Sequence, residues 1–371
     1  MPVDVVDPGS ALILEQLSLQ GFRSHDDFSM AFAPGVTAIV GPNGSGKTNI
    51  VEAVAWLATT RSFRGAPTDA LIKRGSEVAI VRGQLRGENN RELLLEAELS
   101  RTGRTRIQMN KQKVQRARDL AGVMAVTVFA PDDLELVKGS PGERRTYLDH
   151  VLLGLHPRND GLRADMEKIL KQRNALLKGC GGRLDRDAAF TLDVWDDKLA
   201  TVGDQLGALR AEAVASLSPR VSEALSSVAG PGNEVTLRYD APWFETGLKA
   251  ALTESRTNDV RRGVTTVGPH RDEIEIMLNA MPARTHASQG EQRSVALALR
   301  LAGHHLVEAT TGVAPLLVLD DVFSELDDSR SAALVAALPH GQTLLTSATD
   351  LPPGAIADAT INLESTESAV A

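Results

Sequence analysis

The chain has 371 residues, room for one large domain or two to three modest ones, with 42% hydrophobic residues and a formal charge of −8. Its one cysteine, Cys180, excludes an intrachain disulfide and any cysteine-based zinc site. No apolar run reaches the ~18 residues a membrane-spanning helix needs.

Residues 12–19 alternate apolar and polar side chains, the period of a strand. Residues 36–40 form a short apolar run that feeds Gly41-Pro42-Asn43-Gly44-Ser45-Gly46-Lys47-Thr48, and residues 49–57 then read as a helix. The octapeptide matches G-x-x-x-x-G-K-[ST], and strand, loop and helix in that order are the context of a phosphate-binding loop. Its glycines let backbone N–H groups approach phosphates, and the helix N-terminus near Gly46 adds partial positive charge. In this reading Lys47 reaches the β- and γ-phosphates and the Thr48 hydroxyl ligates Mg²⁺.

Four strand-like runs follow, near residues 78–85, 92–99, 105–109 and 123–129. With no long helix between them, they predict a largely antiparallel meander. Residues 101–118 hold Arg101, Arg104, Arg106, Lys111, Lys113, Arg116 and Arg118 and no acidic residue. Such a run is a solvated face or, on an acidic protein, a strip that displaces counterions from a nucleic-acid backbone. Arg101, Arg104, Arg106, Lys111 and Lys113 are the candidate DNA contacts.

Residues 162–177 and 190–217 have helical periodicity, with Lys178-Gly179-Cys180-Gly181-Gly182 as the turn between them. Leu192, Trp195, Leu199, Val202, Leu206 and Leu209 form a heptad seam. An antiparallel helical hairpin is expected, either packed into a small helical domain or protruding as an arm. Gly230-Pro231-Gly232 ends this region. Strands are expected at 235–239 and 274–278, a long helix over 288–306, a buried strand over 316–320 and further strands at 344–347 and 360–363. The strand of residues 316–320 ends on Asp320-Asp321. An apolar strand delivers a carboxylate rigidly to a Mg²⁺ beside a triphosphate. Asp320 is expected at the metal, directly or one layer out, and Asp321 beside the γ-phosphate, orienting the attacking water. The alternative is a strand-end turn with two solvated acids. Thr48 and Asp320 are 320 − 48 = 272 residues apart. One nucleotide-binding domain is therefore begun by the first third of the chain and completed by the last. The expected division is 1–155 for the first part of the head, 156–232 for a helical insertion or arm and 233–371 for the rest.

Ala287-Ser288-Gln289-Gly290-Glu291-Gln292-Arg293, opening a helix, resembles the signature motif of ABC-type ATPases, and Ser324-Glu325-Leu326-Asp327 resembles their D-loop. Phe22-Arg23-Ser24-His25 is similar to the opening of their SMC branch. The segment of residues 131–149, Arg61-Ser62-Phe63-Arg64, Lys171-Gln172-Arg173-Asn174, Gly268-Pro269-His270-Arg271-Asp272 and the Asp320-Asp321 pair resemble the RecF family of bacterial recombination mediators. That resemblance covers roughly residues 11–350.

The resemblance implies an α/β ABC-type ATPase head, a mixed sheet with the phosphate loop plus an antiparallel β lobe, with an inserted α-helical hairpin. It implies ATP and Mg²⁺ as cofactors and slow, DNA-linked ATP hydrolysis. Lys47, Asp320 and Asp321 would be catalytic, and Thr48 and Asp320 would hold the metal. Residues 41–48 with Ser288, Gln289 and Gly290 would bind nucleotide, Ser288 and Gly290 at the γ-phosphate held by a second copy. The ATP-dependent homodimer would clamp DNA at gaps, on duplex and on single/double-strand junctions, and release it on hydrolysis. RecO and RecR are the implied protein partners; no membrane is implied.

Some family features are absent. Phe129-Ala130-Pro131-Asp132 offers no Q-loop glutamine, and Leu345-Thr346-Ser347-Ala348-Thr349 offers only hydroxyls where transporter ATPases carry a histidine. His270 is functional or satisfies a turn. An ABC transporter subunit is opposed by the 288 − 41 = 247 residues from Gly41 to Ser288. An SMC-like tether is opposed by the short helices and by a lone cysteine, which cannot form a Cys-x-x-Cys hook. Asp4 and Asp7 with no early Lys or Arg do not make a secretory signal, so a cytoplasmic protein is expected.

Overall fold

The computed structural model describes residues 12–87, 90–114, 123–349, 351–352 and 354–363. In chain order the elements begin β1 (Leu12–Phe22), β2 (His25–Ala31), β3 (Val36–Val40), α1 (Lys47–Thr59) and α2 (Thr68–Leu71). Next come β4 (Val78–Gly87), β5 (Glu92–Ser100), β6 (Arg106–Met109), β7 (Gln112–Lys113), β8 (Val126–Phe129), α3 (Glu135–Lys138), α4 (Pro141–Leu155), α5 (Asn159–Gly179) and α6 (Arg186–Ala229). The remainder is β9 (Val235–Asp240), α7 (Leu248–Arg262), β10 (Glu273–Leu278), β11 (Met281–Pro282), α8 (Ala283–His286), α9 (Gln289–Thr311), β12 (Leu316–Asp320), α10 (Asp328–Ala337), β13 (Thr343–Ser347) and β14 (Ala359–Asn362). They form two compact units: Met1–Leu134 with Glu223–Asn233 and Arg293–Ala371, and Glu135–Ser222 with Glu234–Gln292.

The first unit holds two sheets. One is antiparallel in the order β2-β1-β4-β5-β6-β7. In β4 and β5 every second residue is buried, among them Ala79, Val81, Leu85, Leu93, Leu95, Ala97 and Leu99. The alternate positions face outward, where Arg82 pairs with Glu96 across the ladder. The other sheet is wholly parallel, in the order β14-β3-β13-β12-β8. All five residues of β12 and all five of β13 are buried, as expected for central strands covered on both faces. One hydrophobic cluster joins α1, through Ile50, Val54, Trp56 and Leu57, to residues of both sheets.

The run at 123–129 departs from expectation. Its strand, β8, is not the fourth member of an antiparallel meander; it pairs in parallel with β12, Val128 opposite Val318. Val126-Thr127-Val128-Phe129 lacks the strict in–out alternation of β4 and β5, and that difference in period separates the two sheets.

The second unit is built on α4, α5, α6 and α7 with a small antiparallel sheet, β11-β10-β9. α5 and α6 do form the hairpin, turning through Gly181 and Gly182, both at positive φ. It is packed rather than free: Leu177, Leu192 and Val260, from α5, α6 and α7, make one cluster. Arg173 of α5 is fully buried and donates to Asp196 (2.7 Å), to Asp259 (2.8 Å) and to Thr265 Oγ1 (2.8 Å).

The seam of α6 lies one residue away from its expected second row. Leu192, Leu199 and Leu206 are buried, but their buried companions are Asp196, Gly203 and Arg210, not Trp195, Val202 and Leu209. Each replacement has a local cause. Asp196 answers Arg173, a Cβ on Gly203 would lie 2.2 Å from Leu248 Cδ2, and Arg210 is held by Asp149 (2.8 Å) and the Pro269 carbonyl (2.7 Å). No helix among the described residues is long and apolar enough to cross a membrane.

Candidate nucleotide-binding site

β3 runs into the glycine loop, and the loop turns into α1 through two residues at positive φ, Gly44 (86°) and Gly46 (96°). A side chain at Gly46 would also collide with His25, 2.7 Å from a Cβ. The loop is tied back to the parallel sheet by Gly41 N donating to the Ser347 carbonyl at 3.2 Å. Lys47 is buried, and its Nζ donates to the carbonyls of Gly41 (2.6 Å) and Pro42 (2.8 Å). Thr48 Oγ1 donates to Asp320 Oδ1 at 3.0 Å, closing the 272-residue gap in the sequence.

Parallel register explains how this contact is made. Asp320 on β12 stands opposite Thr346 on β13, and Thr346 Oγ1 donates to Asp320 Oδ1 at 2.8 Å. The same hydroxyl accepts from Asp321 N at 2.9 Å, while Asp321 adopts φ 50° and leaves the strand. The stretch expected to offer only hydroxyls thus contributes one of them to the acidic pair. Burial pushes the Asp320 carboxyl up, against the hydrogen bonds from Thr346 and Thr48; the Asp321 carboxylate pushes the same way as burial and Arg64 opposes it. Burial also pulls the Lys47 ammonium down, opposed by the Asp321 and Asp320 carboxylates. Both groups are shifted toward neutrality by desolvation; an anionic phosphate beside Lys47 would favour its charged form, and a cation beside Asp320 would favour the carboxylate.

The β1–β2 turn, Phe22-Arg23-Ser24-His25, braces the loop helix. Arg23 is bidentate to the fully buried Glu52 (2.8 and 2.7 Å), Ser24 Oγ accepts from Asn49 Nδ2 (2.9 Å), and His25 Nε2 stands 3.3 Å from the Gly46 carbonyl. Ser62 Oγ also donates to Glu52, so Arg61-Ser62-Phe63-Arg64 is attached to the same carboxylate. Glu52 and Asn49 carry no role in the sequence reading, and Thr346 figures there only as one of several hydroxyls. The first two lie i+5 and i+2 from Lys47 on the helix opened by the motif, a signal that could have been read; Thr346 needed the strand register.

Ser288 belongs to the second unit and is exposed. It opens α9 with a reciprocal cap: Ser288 N and Oγ both donate to Glu291 Oε2 at 2.7 Å, and Glu291 N donates back to Ser288 Oγ at 3.3 Å. Gln289 and Gly290 form the first turn of that helix. In the first unit Arg293 bonds the D-loop, with Nη2 2.7 Å from the Glu325 carboxylate and Nη1 3.1 Å from its carbonyl. Asp327 ends the D-loop as the cap of α10, accepting from Arg330 N at 2.8 Å.

The basic run lies on the β5–β7 end of the antiparallel sheet. Arg104, Arg106, Lys111 and Lys113 are exposed; Lys111 occupies the β6–β7 turn at φ 65° and Arg106 pairs with Glu98 at 3.1 Å. Arg101 differs, donating to the carbonyls of Ser76 (2.8 Å), Ile72 (2.9 Å) and Lys73 (3.1 Å). Arg116 and Arg118 lie outside the described residues.

The other family-like segments meet in the polar interior of the second unit. Arg144 is bidentate to Glu273 (2.7 and 2.8 Å), and Arg145 donates to the Asp272 carbonyl at 2.7 Å. Asp149 holds Arg210, which also grips Pro269. Asp272 accepts from Trp243 Nε1 (2.6 Å) and from Tyr239 Oη; burial is what most pushes its carboxyl up. His270 turns Nε2 to the Thr265 carbonyl (3.1 Å), and burial draws it down to about 4, so it sits neutral in a turn.

A family model described as the RecF/RecN/SMC N-terminal domain matches residues 13–349. A Streptomyces avermitilis protein named DNA replication and repair protein RecF is 44% identical over 92% of this chain and 95% of its own length. A protein of the same name from Renibacterium salmoninarum is 40% identical over 91% and 94%. The solved structure described as the recombination mediator protein RecF-ATPrS in the RecFOR pathway superposes with TM-score 0.86 at 29% identity, covering 95% of this chain and 96% of that one; the corresponding RecF-ATP structure gives 0.85. The Smc head domain of Pyrococcus furiosus, at TM-score 0.57 and 19% identity over 95% and 93%, shares the fold. With its phosphate loop, acidic strand end and helical unit all in one mixed α/β chain, this protein belongs to the RecF family.

Proposed function

We propose that the chain is an ATP-dependent, DNA-binding ATPase of recombinational repair and replication restart, acting in the cytoplasm. The observation that carries this reading is the Thr48–Asp320 contact at 3.0 Å, with Lys47 and Asp321 beside it. A hydroxyl and a carboxylate are hard oxygen donors of the kind Mg²⁺ takes. Bound there, Mg²⁺ would neutralise charge on the ATP phosphates. Lys47 would hold the β- and γ-phosphates, backbone N–H groups of residues 41–48 would cradle them, and Asp321 would orient the attacking water. Thr346 keeps Asp320 fixed and anchors the Asp321 amide.

Ser288, Gln289 and Gly290 open α9 with a capped, exposed N-terminus, which suits a γ-phosphate presented by a second copy. Two copies, head to tail, would bury two nucleotides, so ATP would stabilise the dimer by binding it and not the separated chains. That dimer would clamp DNA at single-strand gaps and at junctions, and slow hydrolysis would release it. Arg101, Arg104, Arg106, Lys111 and Lys113 are exposed for the phosphate backbone, Arg101 also donating to the carbonyls of Ser76, Ile72 and Lys73. The place of the solved RecF relatives in the RecFOR pathway supports RecO and RecR as partners. In linear order the head is read as 1–155 and 233–371, with the helices of 156–232 inserted.

Ser288→Arg tests the shared site. Light scattering with ATP should find monomers, while equilibrium binding of labelled ATP stays within about threefold of wild type. Normal ATP-dependent dimers of the variant would refute the assignment.

A further inference from the structure

A group of cations in the second unit has no part in the reading above. The segment of residues 263–266 follows α7 and is held from two sides. Thr265 N and Oγ1 donate to Asn174 Oδ1 of α5 at 2.8 and 2.7 Å. Arg271 Nη2 donates to the Thr265 carbonyl at 3.4 Å, beside His270 Nε2. A Cβ on Gly263 would lie 3.5 Å from Lys178 Cγ. These contacts gather five exposed cations around one short segment: Lys171 and Lys178 of α5, Arg261 and Arg262 in the last turn of α7, and Arg271. Lys171, Asn174 and Lys178 are spaced by three and four residues and share the α5 face that meets the segment.

Nothing among the described residues neutralises the group: none of the five takes part in an ion pair. Carboxylates on the same elements are already committed: Glu167, one turn before Lys171, pairs with Arg163. Asp259 accepts from Arg173 and from Thr266, Asp196 holds Arg173 and Arg256, and Asp193 holds Arg256. Lys178, Arg261 and Arg262 sit at helix C-termini, where a positive charge is favourable without any ligand. Lys171 lies two turns further back and Arg271 is in a loop, so the helix ends do not account for them. The exposed large apolar side chains, such as Phe190 and Phe244, fall outside these segments, and the aromatic anchors typical of protein interfaces are missing from the patch.

We propose that this surface is a second phosphate-backbone contact for duplex DNA, additional to the β6–β7 strip. It rests on the reading of the chain as a DNA-binding protein. On a protein of net charge −8, unpaired cations on one face are where a polyanion gains by releasing counterions. The contact would be sequence-independent, since flexible lysine and arginine heads meet phosphates and not base edges. Its footing is rigid: Arg271 is followed by Asp272 and Glu273, both locked by Trp243 and Arg144.

The test uses the full chain with Lys171, Lys178, Arg262 and Arg271 all replaced by Gln. Duplex affinity is read by fluorescence anisotropy across a salt series, with ATP and Mg²⁺ present. The slope of log affinity against log salt should fall by about 3.6, each of the four lost contacts removing about 0.9. An unchanged slope in a variant that melts like wild type overturns the proposal. Should the quadruple variant melt early, Lys171→Gln and Arg271→Gln singly should each lower the slope by about one, and two unchanged slopes overturn it equally. Absence of duplex binding by the wild-type chain at every salt concentration would instead defeat the DNA-binding reading itself. The Arg104→Ala, Arg106→Ala, Lys111→Ala variant, run in parallel, reports on the β6–β7 strip alone.

Discussion

Lys47 and Asp320 bring opposite charges into one buried place, and desolvation works against both. Their positions were legible because the phosphate loop fixes its spacing and an apolar strand ending in Asp-Asp is unusual. Thr346 was not legible, because a hydroxyl acquires its role only from the strand beside it. The segments of residues 131–149, 171–174 and 268–272 carried the family resemblance, and in the structure Arg144, Asp149, Arg173 and Asp272 spend their polar atoms holding the second unit together. His304 is a different case. It is buried in α9 with neither ring nitrogen hydrogen-bonded, and burial, with His305 adding to it, draws it down to about 4. An unfolded histidine titrates near 6.5. Between those values the unfolded chain binds more protons, so stability is full above about 6.5 and falls as pH drops toward 4. His304→Met should therefore gain about 2 kcal/mol relative to wild type at pH about 5 over its gain at pH about 8, read by urea unfolding. An equal gap at the two pH values would show that His304 does not titrate in this way.

α6 is the element where periodicity and structure part company. A 44-residue helix at 1.5 Å per residue spans about 66 Å. Its apolar heptad was visible, but the side that packs is set by Asp196, Gly203 and Arg210, residues that a hydrophobic count ignores. Gly207 belongs to the same logic: a Cβ there would lie 2.5 Å from Trp243, whose indole is tethered to Asp272. Gly207→Ala gains about 1 kcal/mol of helix propensity and should lose about 1–3 by overpacking. A net loss in denaturant unfolding, with altered tryptophan emission, is expected; a net gain would mean that Trp243 yields freely. The helices α4, α7 and α10 were not anticipated. α7 buries only Leu248, Leu252, Asp259 and Val260, too sparse a stripe to betray a helix. α10 is capped by Asp327 of the D-loop, and the D-loop likeness hid that helix start.

At the scale of the molecule, neither unit is a continuous stretch; the chain passes between them at 134/135, 222/223, 233/234 and 292/293. The sequence showed the split through the distance from Thr48 to Asp320, but not which strands flank the phosphate loop. Those are β13 and β14, on either side of β3. Ending the chain after Gly341 should therefore abolish ATP binding, measured by equilibrium dialysis, and leave an aggregating product with a buried strand exposed on both edges. Retained affinity in that truncation would mean that the loop does not need its sheet. For a ribosome the same neighbourhood sets a timetable. β3 is made at residues 36–40 and its nearer partner only at 343–347, 343 − 40 = 303 residues later. At about 5–20 residues per second, the nascent phosphate loop waits roughly 15–60 s without its sheet. The loop is therefore expected to take nucleotide only after residues 343–362 have been made.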